Sequence, residues 1–145
     1  MLSKHGISYA DNGQKMRNTK RKVNIEIWGS GKPTREFLWS EDMADACVYT
    51  MENISFQDVL TSLENKKEIK NTHLNIGTGK EISIKELADM IKKTIGFEGD
   101  FYFNTEKPDG TMRKLTDTSK MKSLGWEYEV ELKEGIQKLY NWYLK

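Results

Sequence analysis

The pattern that most restricts the fold is a short predicted strand, a glycine turn and a capped helix in immediate succession. The predicted strand, His73-Leu74-Asn75-Ile76, leads into Gly-Thr-Gly at 77–79. Ser83 and Glu86 then have the spacing of a capping box, in which each side chain bonds the other residue's backbone amide. Apolar residues follow at helical spacing, and Gly96 stands where a helix-ending glycine is expected. The pattern predicts a strand that leads into a helix, and therefore a mixed α/β chain.

A second unit of strand, loop and helix precedes it. Val23–Trp28 alternates apolar and polar residues, which is typical of a half-buried strand. A loop with two glycines and a proline follows, and Ser40 stands before two acidic residues, as an N-cap does. We expect the helix to bury Ala46 and Cys47 on one face. Cys47 is the single cysteine, which excludes an internal disulfide, and we interpret it as a small core residue rather than a nucleophile.

The remaining patterns complete a small mixed α/β domain with short strands and about four helices. Residues 101–103 are predicted as a strand, 107–110 as a turn, and 132–144 as the last helix. Residues 1–22 are polar and contain a basic run, so we interpret them as a poorly ordered or inserted N-terminal segment. Residues 23–145 are predicted to form the domain.

The composition argues against several classes of protein. The 145 residues carry 23 Lys and Arg against 22 Asp and Glu, a balance that argues against a general nucleic-acid or membrane binder. No stretch approaches the ~20 apolar residues of a membrane span, and no signal-peptide pattern opens the chain, so we expect a cytoplasmic protein. The two histidines, His5 and His73, suggest no metal site and no His-based catalytic triad.

The first glycine loop, residues 29–34, lies between Trp28 and Arg35, two residues suited to binding a nucleotide diphosphate. Trp28 offers a flat face for stacking, and Arg35 offers a forked cation for phosphate. The segment 108–114 adds Arg113 and Lys114, whose side chains point to opposite faces if the backbone is extended. At most one of these two faces a given ligand, and the other meets solvent or an acid. If that one converges with Arg35, the two form a clamp suited to a pyrophosphate. The alternative is that Trp28 is a strand-end core residue and that the cations are unrelated surface groups.

The Gly77-Thr78-Gly79 loop does not complete a dinucleotide-binding fingerprint. The third glycine of that motif would fall at position 82, which is Ile82, and no acidic residue stands in the expected ribose-binding context. We therefore predict that this loop is a packing turn between a strand and a helix.

Three segments resemble one family in order and nearly in wording. WGSGKPTREFLWSEDMADA, HLNIGTGKEISIKELA and KPDGTMRKLTD are similar to the C-terminal half of the GDP-L-fucose synthases. These extended short-chain reductases make GDP-L-fucose from GDP-4-keto-6-deoxy-mannose by 3,5-epimerisation and NADPH reduction. The resemblance runs from about Val23 to the C-terminus, and its first and third segments are the more specific. It implies the fold of the C-terminal substrate-binding domain of an extended short-chain reductase.

The resemblance also implies roles for individual residues. Arg35 and Lys114 would contact the diphosphate of GDP, and Trp28 would lie against the nucleotide or the sugar. Asp109 and Arg113 match the same motif, and we assign them to shaping the loop. The family's NADP-binding and catalytic motifs belong to segments N-terminal to this one. No catalytic, cofactor-binding or metal-binding residue is therefore predicted here, and this chain alone is expected to be inactive.

Two classes of function remain open. In the first, the chain is the GDP-sugar-binding part of an NADP-dependent GDP-L-fucose synthase, or the same part of a related sugar-nucleotide 4,6-dehydratase or 4-epimerase. In the second, it is a stand-alone nucleotide-sugar-binding module without catalysis. The expected partner is a GDP-sugar, and the expected cofactor of the complete protein is NADP(H). We also expect a homo-oligomer, formed through an apolar face that the missing half would otherwise cover.

Overall fold

A computed structural model describes residues 23–61 and 71–145, so the prediction for residues 1–22 lies outside it. The predicted small mixed α/β class is confirmed, with five helices in the described ranges where about four were predicted. The helices are α1 (Ser40–Asn53), α2 (Phe56–Thr61), α3 (Ile84–Ile95), α4 (Ser119–Ser123) and α5 (Leu132–Tyr143). The strands are β1 (Asn24–Trp28), β2 (Thr34–Arg35), β3 (Ile82–Ser83), β4 (Asp100–Asn104) and β5 (Arg113–Lys114).

These strands pair into two small sheets. In the first, β1 runs parallel to β4, with Asn24 opposite Asp100 and Trp28 opposite Asn104. In the second, β2 lies in the centre, antiparallel to β3 and parallel to β5. The loop between Trp28 and Thr34 therefore passes from the carboxyl end of the first sheet into the second. This crossing brings the first glycine loop next to the strand that carries Lys114.

The core joins α1 to the segment around α4. Ala46, Met121 and Trp126 are its buried members. The indole N–H of Trp126 donates to the Asp45 carboxylate at 2.9 Å, so the buried ring keeps a hydrogen-bond partner. The half-buried residues that pack against this cluster are Leu38, Tyr49, Ile54, Leu74, Ile76 and Tyr128.

The inward face of α1 differs from the predicted one. Ala46 is fully buried, but Cys47 is exposed, so the prediction of a buried cysteine is wrong. One position along a helix is about 100° around its axis, which separates the two side chains. The inward face includes Asp42 instead, whose carboxylate accepts a hydrogen bond from the Val130 amide at 3.0 Å. Hydropathy does not reveal this arrangement, because an acidic residue occupies a position that the apolar pattern assigns to solvent.

The predicted strand at 73–76 is also wrong, because this segment belongs to neither a strand nor a helix. Its apolar residues Leu74 and Ile76 pack against the core cluster nevertheless. Between them, the Asn75 side-chain amide donates to the Asp117 carbonyl at 3.0 Å. The two apolar side chains of this segment therefore pack against the core without a neighbouring strand.

The caps of α3 match the sequence pattern, whereas the cap of α1 does not. Ser83 Oγ accepts from the Glu86 amide, and Glu86 accepts from the Ser83 amide, which completes the predicted capping box. Gly96 ends α3 in the left-handed conformation. Ser40 was the expected N-cap of α1, but Trp39 occupies that position and makes no side-chain cap bond.

Replacing Ser83 with alanine is expected to lower the free energy of unfolding by about 1 kcal/mol, because the first turn of α3 loses its side-chain acceptor. Ser40→Ala is the matched control, and we expect it to be nearly neutral because Ser40 makes no cap bond. Denaturant unfolding followed by circular dichroism measures both. Equal losses for the two variants would contradict the assignment of the caps.

Large apolar side chains are exposed on α1 and α5. Trp142 is 70% exposed, and its neighbours Tyr143 and Leu144 are also exposed. On α1, Val48 and Met51 face solvent. Self-association through such a face stays a prediction. None of the helices in the described ranges is long and apolar enough to cross a membrane.

Candidate functional site

The backbone brings two of the predicted binding residues side by side. Strands β2 and β5 run parallel, with Thr34 opposite Arg113 and Arg35 opposite Lys114. The Thr34 amide also donates to the Met112 carbonyl at 2.8 Å, which joins the two segments just before β5. Directly opposite residues of parallel strands point to the same face of a sheet. Arg35 and Lys114 therefore project from one face, and Thr34 and Arg113 from the other.

A carboxylate joins the first glycine loop to the turn that precedes β5. Asp109 accepts from the Ser30 amide at 2.7 Å and from the Ser30 hydroxyl at 2.6 Å. These two bonds lower the pKa of Asp109 below its usual value, and the bond from the Ser30 hydroxyl has the larger effect. A Cβ added to Gly29, whose φ is +86°, would lie 2.3 Å from Asp109 Oδ1, so only glycine fits there. The geometry supports the loop-shaping role that the sequence suggested for Asp109.

The two cations differ in how they are held. Arg35 is half-buried, and its Nη1 donates to the Thr34 carbonyl at 2.6 Å and to the Thr111 carbonyl at 2.7 Å. These bonds fix the guanidinium against the segment that precedes β5. Lys114 is exposed, and within the described ranges its ammonium has no recorded hydrogen bond or ion pair. One cation is thus fixed by the backbone, and the other is open to a ligand.

The neighbour of Lys114 meets an acid on the opposite face. Arg113 Nε donates to both carboxylate oxygens of Glu81, at 3.0 Å and 2.9 Å. The Thr34 hydroxyl donates to the same carboxylate at 3.1 Å. The bond from Arg113 is the main cause of the lowered pKa of Glu81. Of the two outcomes expected for one member of the pair, solvent or an acid, Arg113 meets the acid, whereas the role of Lys114 toward a ligand stays a prediction.

Trp28 lies at the carboxyl end of β1 and is 71% exposed, so the alternative of a strand-end core residue does not hold. Its recorded contact is with Lys107, whose Nζ lies 5.4 Å from the centroid of the indole ring. A cation at this distance from an aromatic face is attracted by the ring's quadrupole. No local pattern in the sequence points to Lys107 as a partner of Trp28, although Lys107 opens the predicted KPDG turn. Trp28 is thus associated with a third cation rather than directly with Arg35 or Lys114.

Glu36 organises the second glycine loop, Gly77-Thr78-Gly79, and no local pattern in the sequence points to it. Its carboxylate accepts from the Gly79 amide at 2.6 Å, from the Thr78 hydroxyl at 3.3 Å and from the Thr116 amide at 3.0 Å. Burial raises the pKa of Glu36, but these hydrogen bonds outweigh burial and lower the pKa below its usual value. A Cβ on Gly77 would lie only 2.5 Å from the same carboxylate. The loop therefore packs against an internal anion.

This packing bears on cofactor binding. The Gly79 amide and the Thr78 hydroxyl already donate to a carboxylate, and a second anion placed there would be repelled by it. The loop does not fit the pyrophosphate of a dinucleotide, and the packing turn predicted for residues 77–79 agrees with the structure. Among the described residues there is also no group of three His, Cys, Asp or Glu side chains suited to a metal ion.

Comparison with known proteins gives consistent matches. Residues 10–77 match the NAD dependent epimerase/dehydratase family. GDP-L-fucose synthase 1 from Arabidopsis thaliana is 46% identical over 121 residues, which cover 83% of this chain and 33% of that protein. A solved GDP-6-OMe-4-keto-L-xylo-heptose reductase from C. jejuni is 52% identical with a TM-score of 0.76, over 83% of this chain and 34% of the other. A GDP-mannoheptose C4 reductase from Campylobacter jejuni, solved with NADP bound, is 49% identical with a TM-score of 0.71, over 84% and 32%.

The chain spans about a third of the length of these relatives. Over that third, it shares both sequence and fold with reductases whose names specify GDP-linked sugars. The same third carries the segments from which the sequence resemblance was drawn. The chain therefore resembles the NAD dependent epimerase/dehydratase family over residues 10–77, and it is similar to about a third of a GDP-L-fucose synthase.

Proposed function

We propose that this chain is the GDP-sugar-binding part of an NADP-dependent GDP-sugar epimerase or reductase. The observation that carries the proposal is the pairing of β2 with β5, which sets Arg35 beside Lys114 on one face of a sheet. Two adjacent cations, one of them a guanidinium held by backbone carbonyls, suit a diphosphate. The names of the relatives, which specify GDP-linked sugars, favour GDP as the nucleotide.

The proposed residue roles follow from this geometry. Arg35 and Lys114 bind the diphosphate, and the exposed indole of Trp28 lies against the nucleotide or the sugar. Asp109 keeps the loop of Ser30 next to the segment that leads to Lys114. Residues 23–145 are the proposed binding domain, and the hydride chemistry belongs to a part of the complete protein that binds NADP(H). The chain alone is proposed to bind substrate without turning it over.

The sugar of the substrate has two candidates. GDP-4-keto-6-deoxy-mannose, the substrate of a GDP-L-fucose synthase, is the first, because the three segments resemble that family. A GDP-linked 4-keto-heptose is the second, because the solved heptose reductase is 52% identical to this chain. Incubation of the complete protein with NADPH and each substrate distinguishes them. Reduction of neither would contradict both candidates.

Titration of GDP into the chain tests the binding role directly. We expect calorimetry to detect saturable heat with GDP and weaker heat with UDP, because the proposed site belongs to a GDP-sugar enzyme. Binding of GDP to residues 1–145 alone is expected to be modest, since they span about a third of the length of the relatives and the loops are less preorganised. Tighter binding of UDP than of GDP would favour the alternative of a different sugar-nucleotide epimerase. A stand-alone module is excluded if the coding region immediately upstream encodes, in frame, a strand, a glycine-rich turn and a helix that bind a dinucleotide.

A further inference from the structure

The face of the second sheet opposite Arg35 and Lys114 is held by a single carboxylate. Glu81 immediately precedes β3, and its side chain reaches both other strands of this sheet. It accepts from the Thr34 hydroxyl on β2 and from Arg113 Nε on β5. Ser83, which follows Glu81 by two residues, lies opposite Thr34, as alternation along a strand requires. One carboxylate therefore ties all three strands together on the face away from the two cations.

The strands that it joins are short, and bonds just beyond them supplement their pairing, among them those from the Ile84 amide to the Pro33 carbonyl and from the Thr116 amide to Glu36. Each of β2, β3 and β5 is only two residues long, and pairings of this length are weak on their own. The hydrogen bond from the Thr34 amide to the Met112 carbonyl extends the contact between β2 and β5 by one residue. A charged bond from Arg113 to Glu81 adds both strength and direction to such a short pairing.

We infer that Glu81 is a positioning residue, which keeps β5 in register with β2 and so keeps Lys114 beside Arg35. Glu81 itself does not face the ligand, because it lies on the side of Thr34 and Arg113. By binding Arg113, it also prevents that side chain from turning toward the anion in place of Lys114. The identity of the anion rests on the proposed function, whereas the effect of Glu81 on the sheet does not.

The sign of the effect separates positioning from simple electrostatics. Removal of a negative charge close to an anion site strengthens anion binding if charge alone matters. Loss of a positioning contact weakens binding, because the two cations are no longer held at a fixed separation. Glu81→Gln removes the charge with little change in shape, so the two mechanisms predict opposite changes in the dissociation constant for GDP.

The experiment compares Glu81→Gln with Glu134→Gln, which breaks an exposed ion pair with Lys138 on α5 and makes the same change in charge. The first readout is hydrogen exchange at the Thr34 amide, which bonds across the junction of β2 and β5. We expect Glu81→Gln to accelerate this exchange several-fold while Glu134→Gln leaves it unchanged. Unchanged exchange in Glu81→Gln would overturn the inference, whether or not GDP binds.

The second readout is the dissociation constant for GDP. We expect Glu81→Gln to raise it about fivefold, an effect typical of a residue that acts without touching the ligand. The melting temperature should stay close to that of Glu134→Gln, because the Arg113 side chain that pairs with Glu81 is 66% exposed, and ion pairs with exposed partners add little stability. Unchanged or tighter binding of GDP would overturn the positioning role. If the wild-type chain gives no heat with GDP, the proposed function fails, and the exchange readout still decides whether Glu81 holds the sheet.

A milder variant guards against loss of folding. Thr34→Val removes the hydroxyl that donates to Glu81 at 3.1 Å, together with its longer 3.4 Å contact to the Met112 carbonyl, and keeps a β-branched side chain on β2. We expect hydrogen exchange at the Thr34 amide to accelerate and GDP binding to weaken, as in Glu81→Gln, but by smaller factors. A Thr34→Val protein that matched the wild type in both readouts would count against a role for this carboxylate.

Discussion

Replacing Arg35 with alanine is expected to weaken GDP binding by about 10- to 100-fold. A hydrogen bond to a charged group contributes about 1.5–3 kcal/mol, and each 1.4 kcal/mol corresponds to about a factor of ten in affinity. The guanidinium is held by the Thr34 and Thr111 carbonyls before any ligand arrives, so little of this energy is spent on ordering the side chain. Calorimetric titration with GDP measures the change. Identical heats for the wild type and Arg35→Ala would defeat the clamp.

The bonds from Arg35 to the Thr34 and Thr111 carbonyls complicate the interpretation of Arg35→Ala, because loss of the guanidinium also releases the loop around Thr111. Lys114→Ala provides the cleaner comparison. Its ammonium has no recorded partner among the described residues, so its removal should lower GDP affinity without changing stability. Lys93→Ala, at the far end of α3, removes an exposed cation and is the matched control. A loss of affinity equal in all three variants would indicate a general charge effect rather than a clamp.

Features that depend on neighbours in sequence could be predicted. The capping box of α3 needs only Ser83 and Glu86 three residues apart, and it formed as the pattern required. The alternation of Arg113 and Lys114 follows from extended backbone, whatever sheet the strand joins. Gly96, which ends α3, is a third feature that neighbouring residues determine. In each case the physical cause lies within a few residues of the effect.

Features that depend on distant contacts could not be predicted. Glu36 bonds the Gly79 amide from 43 positions away, and Arg113 bonds Glu81 from 32 positions away. Nothing local in the sequence distinguishes these carboxylates from the other acidic residues. The burial of Ala46 instead of Cys47 is a similar case, because the orientation of α1 depends on what packs against it. Tertiary contacts decide which face of a weakly amphipathic helix is turned inward.

The acidic residues around the site share one property that explains how an anion could bind among them. Glu36, Glu81 and Asp109 all have pKa values below their usual range, so all three stay ionised at neutral pH. Each is engaged by donors of the protein: amides and a hydroxyl for Glu36, Arg113 for Glu81, and Ser30 for Asp109. Their charges are thus used to hold loops and strands. Among the described residues, no hydrogen bond or ion pair engages the Lys114 ammonium, which agrees with its proposed role in binding the diphosphate.

Loss of the Glu36 carboxylate is expected to give the largest change in stability. In Glu36→Gln, one amide oxygen can still accept, but the NH₂ group faces a backbone N–H that previously donated to a carboxylate. We expect the free energy of unfolding at pH 7 to fall by about 2–4 kcal/mol, since bonds from Gly79 and Thr116 are weakened together. Denaturant unfolding measures this loss. Glu127→Gln, which breaks an exposed pair with Lys122, is the control and should leave the unfolding midpoint nearly unchanged.

The pH dependence of the free energy of unfolding, measured for the wild type and for Glu36→Gln, identifies the cause of the lost stability. The pKa of Glu36 is lowered on folding, so its contribution is complete above its unfolded pKa and is lost as pH falls through the folded value. Other carboxylates with lowered pKa values act in both proteins, and subtraction of the two stability curves removes them. The difference between wild type and Glu36→Gln should therefore be constant near neutrality and shrink below about pH 4.5. A difference that stayed constant into acid would mean that the glutamine disturbs packing, because protonation of Glu36 would then be irrelevant to the loss.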